Sequence, residues 1–160
     1  MARESRTGFM MPRFQRETDQ SNGTLVLFSG SKGTGKMLAA ETMSRELGFS
    51  IYRVPLNSVV STFIGETEKN LARLLKTAEM KKSVLMVDEA DALFGKRGEV
   101  KDSHDRYANI ATNYLLERLQ AYPGLVILVS NHNVQLDSAL GCFFTYHVAF
   151  TPPAIPPVKR

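Results

Sequence analysis

The glycine-rich segment from Gly30 to Lys36 has the residue types and the spacing to bind phosphate. It matches the pattern G-x-x-x-x-G-K, in which glycines let the backbone form a concave loop whose N–H groups face phosphate oxygens. The apolar run Leu25–Phe28 precedes it and a helical pattern begins at Lys36, so the helix N-terminus adds a favourable dipole. We predict contacts to the phosphates of ATP or ADP, with Lys36 reaching the β- and γ-phosphates. The predicted contact residues are Gly30, Ser31, Lys32, Gly33, Thr34, Gly35, Lys36 and Met37. The alternative is a glycine-rich turn with an unrelated lysine.

Met37 departs from the usual pattern. The position after the lysine is normally Ser or Thr, whose hydroxyl ligates Mg²⁺. A thioether is a soft ligand and suits a hard cation poorly. We therefore expect Mg²⁺ to accompany the nucleotide, but with weakened binding.

A second candidate site is the apolar run Val84–Val87, which ends in the two carboxylates Asp88 and Glu89. Downstream of a phosphate loop, this pattern predicts that Asp88 holds Mg²⁺ and that Glu89 activates the attacking water. The alternative is that both carboxylates only cap a following helix, Ala90–Phe94.

Apolar runs and helical stripes alternate along the chain, as in an α/β domain with a parallel sheet. Between these runs, apolar residues recur at helical spacing, and the third such stripe includes Tyr114, Leu115 and Leu119. Gly48 is placed to end the first helix. Ligands of such sheets bind outside the carboxyl ends of the strands, where both candidate sites lie. The predicted strands are Leu25–Phe28, Ile51–Val54, Val84–Val87, Leu125–Val129 and, more weakly, Tyr146–Phe150.

The length of 160 residues suits one domain. We predict an irregular arm at residues 1–23, a core at residues 24–150 and a proline-rich tail at residues 151–160, which carries four of the seven prolines. No apolar stretch approaches a membrane span or a secretory signal. The net charge of +4 is dispersed, which argues against nucleic acid as a partner. The single cysteine, Cys142, excludes a disulfide framework and favours a reduced, cytoplasmic location.

Three further stretches resemble AAA+ ATPases, and they stand in that family's order. Ser61–Leu71 resembles the first pore loop of that family with the helix behind it. Asp88–Gly95 resembles its second acidic motif, and Ser130-Asn131 resembles its sensor-1 position. Phe94–Ile110 is similar to small single-module bacterial members. The resemblance implies a three-layer α/β/α P-loop NTPase core with a parallel five-stranded sheet in the order 5-1-4-3-2.

The resemblance also implies roles for individual residues. Asn131 would sense the γ-phosphate and position water, and Phe63, Ile64 and Gly65 would form a loop that grips a polypeptide in the pore of a homo- or hetero-oligomeric ring. Lys36 and Glu89 would complete the catalytic set. The alternatives are that Phe63 and Ile64 belong to the core and that Asn131 is only a turn residue.

The sequence departs from this family after sensor 1. Residues 131–150 contain no Arg or Lys, so we expect this chain to lack the arginine finger that a neighbouring subunit contributes in the family. We also expect no helical lid after the fifth strand. We expect an ATP-binding core with weak hydrolysis that remodels a protein substrate. The first alternative is a degenerate interaction or regulatory module of an AAA+ ring or secretion-type machine. The second, a nucleic-acid-dependent loader ATPase, fits the mild charge least.

Overall fold

Five parallel strands form one sheet in the computed structural model, which describes residues 23–95 and 103–154. The order is β2-β3-β4-β1-β5, which is the predicted order 5-1-4-3-2 read from the other edge. The predicted fold class is therefore confirmed. Because β4 lies beside β1, the chain reverses its direction of winding there, and such a point places a crevice at the carboxyl ends of both strands. The strands are β1 Thr24–Ser29, β2 Ile51–Pro55, β3 Val84–Asp88, β4 Leu125–Val129 and β5 Tyr146–Ala149.

Helices cover both faces of the sheet and make the three layers. On one face, α1 packs through Ala40, while α2 and α3 pack on the other face through residues such as Leu71 and Leu116. Short 3₁₀ helices follow β2 and β3, at Leu56–Ser58 and Ala90–Phe94. The α-helices are α1 Lys36–Leu47, α2 Glu66–Lys81, α3 Ser103–Gln120 and α4 Ser138–Gly141.

The central strands are buried on both faces, which explains their continuous apolar runs. In β1, Leu25 and Leu27 belong to the cluster under α2 and α3, whereas Val26 and Phe28 belong to the cluster under α1. Successive side chains of a strand point to opposite faces, so each run supplies both clusters. β5 differs, because all four of its residues are exposed.

The helix ends follow local backbone preferences. Gly48 adopts a left-handed conformation (φ 76°) after Leu47, and its N–H bonds back to the helix, as its sequence position predicts. In α3, Leu115 and Leu119 are buried as predicted, but Tyr114 is 37% exposed. Leu116, which lies outside the predicted stripe, is fully buried instead. The helix is thus rotated relative to the prediction.

The structure describes only part of the predicted N-terminal arm and of the predicted proline-rich tail. Residues 1–22 and 155–160 lie outside the described residues, and residues 151–154 form no regular element. The predicted domain boundaries therefore stay predictions. No helix within the described ranges is both long and apolar enough to cross a bilayer.

Candidate functional site

The phosphate loop, residues 30–35, connects the end of β1 to the start of α1. Gly33 (φ 78°) and Gly35 (φ 92°) have left-handed backbones, and a Cβ added at either would meet nothing within 4 Å. Glycine is therefore required there by conformation and not by crowding. Gly30 (φ 141°) is different, because an added Cβ would lie 2.2 Å from the Phe150 carbonyl oxygen. The loop therefore has open space at Gly33 and Gly35 and is tightly packed at Gly30.

The Lys36 side chain is held inside this loop. It is 5% exposed, and its Nζ donates to the carbonyl oxygens of Gly30 and Ser31, each at 2.6 Å. Thr34 Oγ1, 3.4 Å from that Nζ, donates to the Ser31 carbonyl oxygen at 2.8 Å. Burial lowers the pKa of Lys36, while the Asp88 and Asp91 carboxylates act in the opposite direction. The loop thus positions one cationic group among its own carbonyls, close to two acids.

Asp88 lies at the carboxyl end of β3, as predicted, and both of its carboxylate oxygens accept hydrogen bonds from other residues. Oδ1 accepts the Glu89 backbone N–H at 2.8 Å. Oδ2 accepts from the Arg53 guanidinium on β2, through Nε at 3.1 Å and through Nη2. The sequence did not single out Arg53, since only the β2–β3 register brings it to this carboxylate.

Glu89 has a left-handed backbone (φ 56°, ψ 38°), which a residue with a side chain rarely adopts. Its carboxylate is exposed and makes no capping hydrogen bond to the helix Ala90–Phe94. The alternative prediction was that Asp88 and Glu89 both only cap this helix, and at Glu89 it is not realised.

The residues present do not fit a Mg²⁺ ion. Mg²⁺ takes oxygen ligands in a strict octahedral arrangement. Met37 offers none, because its partly buried side chain packs against the apolar cluster that contains Phe28 and Ala40. Both carboxylate oxygens of Asp88 have other partners. Met37 is therefore part of the α1 packing and supplies no oxygen ligand to a cation.

The sensor segment after β4 is tied to the acidic strand end and to the phosphate loop. Asp91 Oδ1 accepts from the Ser130 hydroxyl at 2.7 Å and from the Asn131 backbone N–H at 2.9 Å. The Gly30 backbone N–H donates to the His132 carbonyl oxygen at 3.2 Å. Asp91 was missed as a site residue, because its partners lie 39 and 40 positions away. The ends of β1, β3 and β4 are thus joined in one hydrogen-bonded region.

The predicted pore-loop residues are exposed at a separate loop before α2. Phe63 is 70% exposed and Ile64 is fully exposed, so neither is a core residue of this chain. Gly65 (φ 81°) makes the turn into α2. Ser61 braces the loop, since its backbone N–H donates to Thr67 Oγ1 and its hydroxyl donates to Glu66, at 2.9 and 2.7 Å.

Apolar residues occupy the segment in which the resemblance would place arginines. Phe143 and Phe144 are partly buried against the core, and the Phe144 ring lies 6.0 Å from that of Phe94. Cys142 is exposed, and its thiol donates to the Ala139 carbonyl oxygen.

A comparison with known protein families finds one family model that matches most of this chain. The profile of the ATPase family associated with various cellular activities (AAA) matches residues 26–151. The chain belongs to the AAA family of ATPases. The match begins within β1 and ends just past β5, so it includes the phosphate loop, the acidic strand end and the sensor segment.

Individual relatives agree with this assignment. An uncharacterized AAA family ATPase of Sinorhizobium fredii is 34% identical over 72% of this chain and 35% of its own length. Spastin of Xenopus laevis is 31% identical over 78% of this chain and 21% of its own length. The proteasome-activating nucleotidase of Aeropyrum pernix is 32% identical over 72% of this chain and 29% of its own length. This chain thus spans about a third or less of these relatives.

A solved structure shares the fold. The AAA domain of FIGL-1 in complex with ADP superposes with a TM-score of 0.59 over 82% of this chain and 44% of its own, at 24% identity. At that identity the likeness shows the fold alone.

Proposed function

We propose that this chain is a nucleotide-binding core that takes ATP or ADP at the Gly30–Gly35 loop. The observation that carries the proposal is the Lys36 ammonium, buried within a loop whose glycines leave open space on its outer side. Backbone N–H groups and the N-terminus of α1 complement this charge. Membership of the AAA family of ATPases supports the same ligand class here.

Hydrolysis, in this proposal, is slow. Glu89 takes a proton from water as the water oxygen attacks the γ-phosphorus, and the bond to the β,γ-bridging oxygen breaks. Lys36 stabilises the phosphate charge and Asn131 positions the water. The segment 131–150 carries no Arg or Lys to stabilise the transition state, and such an arginine contributes about 10³–10⁵ in rate.

The coupled activity is remodelling of a protein substrate. An exposed aromatic and an exposed aliphatic side chain, Phe63 and Ile64, form a braced tip that suits contact with an extended polypeptide. Spastin and the proteasome-activating nucleotidase belong to the same family, whose members assemble as rings, and we propose a homo- or hetero-oligomeric ring for this chain as well. The exposed thiol of Cys142 suits a reduced compartment such as the cytoplasm.

Titration calorimetry with ATP and with ADP tests the binding step. We expect Lys36→Ala to weaken binding about 100-fold, since a charge-assisted contact to phosphate contributes roughly 2–3 kcal/mol. Lys76→Ala is the matched control, because Lys76 is an exposed lysine of α2. Equal affinities of the two variants, or no binding by the wild type, would overturn the proposal.

ATP turnover tests the hydrolysis step. We expect Glu89→Gln to lower the slow wild-type rate about 100-fold, the scale of a general base. If the two rates are equal while nucleotide still binds, the chain is a binding module instead. That second function, an interaction or regulatory module of an AAA+ assembly, is favoured by the apolar packing of Phe143 and Phe144 in the arginine-free segment.

A further inference from the structure

The pairing of Arg53 with Asp88 places a half-exposed cationic group against the carboxylate at the end of β3. Arg53 lies on β2, where its Cα pairs with Met86 of β3, two residues before Asp88. Both Nε and Nη2 donate to the same carboxylate oxygen. A guanidinium keeps its charge at any working pH, and a hydrogen bond between two charged groups is roughly twice as strong as one between neutral groups.

This pairing changes what a polyphosphate meets. An unpaired Asp88 would repel a nucleotide that carries no metal, and a bound Mg²⁺ offsets that repulsion in related chemistry. Here Arg53 already neutralises Asp88, whose side chain is only 13% exposed. The other usual Mg²⁺ ligand is missing as well, since Met37 packs into the apolar cluster under α1.

We propose that this chain binds its nucleotide without magnesium, with Arg53 supplying the charge beside Asp88 that a metal ion would otherwise supply. The ligand class is a metal-free nucleoside di- or triphosphate. The inference rests on the proposed nucleotide binding and adds that this binding does not require a metal ion.

Calorimetric titration of ADP into the full chain, in millimolar MgCl₂ and in EDTA, tests it. We expect the wild-type dissociation constants in the two buffers to agree within about threefold, a difference of well under 1 kcal/mol. Arg53→Gln, which leaves Asp88 unpaired, should bind at least about tenfold more weakly in EDTA than the wild type does. Arg73→Gln removes the same charge from an exposed position on α2 and should leave both constants unchanged.

A double variant provides the converse test. Arg53→Gln combined with Met37→Thr frees Asp88 and restores a hydroxyl after Lys36. We expect Mg²⁺ to raise its ADP affinity at least about tenfold, because both usual oxygen ligands are then available. Circular dichroism identifies any variant that fails to fold. If Arg53→Gln does not fold, Arg53→Lys, which keeps the charge, replaces it, and we expect a smaller loss of ADP affinity in EDTA.

The outcomes separate the two proposals. Wild-type binding that requires Mg²⁺ overturns this inference and leaves nucleotide binding intact. A double variant that is indifferent to Mg²⁺, or an Arg53→Gln variant that binds as the wild type does in EDTA, also overturns it. Failure of the wild type to bind ADP in either buffer overturns the proposed function itself, and this inference with it.

Discussion

The segments that follow β1 and β4 meet at the carboxyl edge of the sheet, yet they are built differently. The phosphate loop after β1 surrounds a buried cation with its own carbonyl oxygens. The segment 131–150 after β4 has no Arg or Lys and packs through aromatic side chains such as Phe143. Phosphate binding can be complete within one short local segment, whereas fast hydrolysis needs charges from several. The difference therefore supports our proposal that the chain binds nucleotide and hydrolyses it slowly.

The junction between these two segments can be broken at Gly30. We expect Gly30→Ala to lower the free energy of unfolding by about 3 kcal/mol, because its Cβ would overlap the Phe150 carbonyl oxygen and its φ is positive. Gly33→Ala, which shares the positive φ but meets no atom within 4 Å, should cost only about 1 kcal/mol. Urea unfolding measures both. Equal losses would show that the two segments are not tightly joined at Phe150.

A second junction is the carboxylate of Asp91. Asp91→Ala should lower the free energy of unfolding by about 2 kcal/mol, because the buried Ser130 hydroxyl and the Asn131 N–H lose an acceptor. Asp137→Ala, which removes only the cap of Leu140 N–H in α4, should cost about 1 kcal/mol. ATP turnover distinguishes the pair further, since only Asp91→Ala releases Asn131. A larger turnover loss in Asp137→Ala would contradict the role given to Asp91.

The smallest effect concerns His147 in β5, whose Nε2 lies 2.8 Å from Ser29 Oγ. Burial lowers the pKa of His147 below its usual 6.5, so the unfolded chain takes up a proton more readily than the folded chain. Stability is therefore complete above about pH 6.5 and declines as the pH falls below it, by less than about 1 kcal/mol for so exposed a group. Thermal melts at pH 7.5 and at about pH 5.5 measure this decline. His147→Gln should show a shallower decline, and an identical profile would exclude His147 as its source.

Most element boundaries could be predicted, because they depend on local patterns, whereas the strand order was expected only from the family resemblance. Leu125–Val129 is apolar throughout and is bounded by turn residues, and the structure has β4 at that range. Gly48 ends α1 for a local reason as well, since only the backbone at that position must turn left-handed. These features need no knowledge of distant partners.

The rest of the site depends on contacts across the fold. Arg53 meets Asp88 only because β2 and β3 pair in one register, and a shift of one residue would send it to the opposite face. Asp91 meets Ser130 across 39 positions. In α3, the sequence predicted Tyr114 in the apolar stripe, whereas the structure buries Leu116 and leaves Tyr114 exposed. A stripe of apolar residues does not determine which edge of the helix is most deeply buried.

The left-handed backbone of Glu89 links the stability of the fold to the hydrolysis that we propose. A left-handed conformation costs a residue with a side chain roughly 1 kcal/mol relative to glycine, and Glu89 carries that cost in the unliganded fold. A glycine would relieve the strain but remove the carboxylate at the end of β3. The position is thus one at which selection for thermostability alone, in a laboratory evolution experiment, would remove the carboxylate that we propose as the general base.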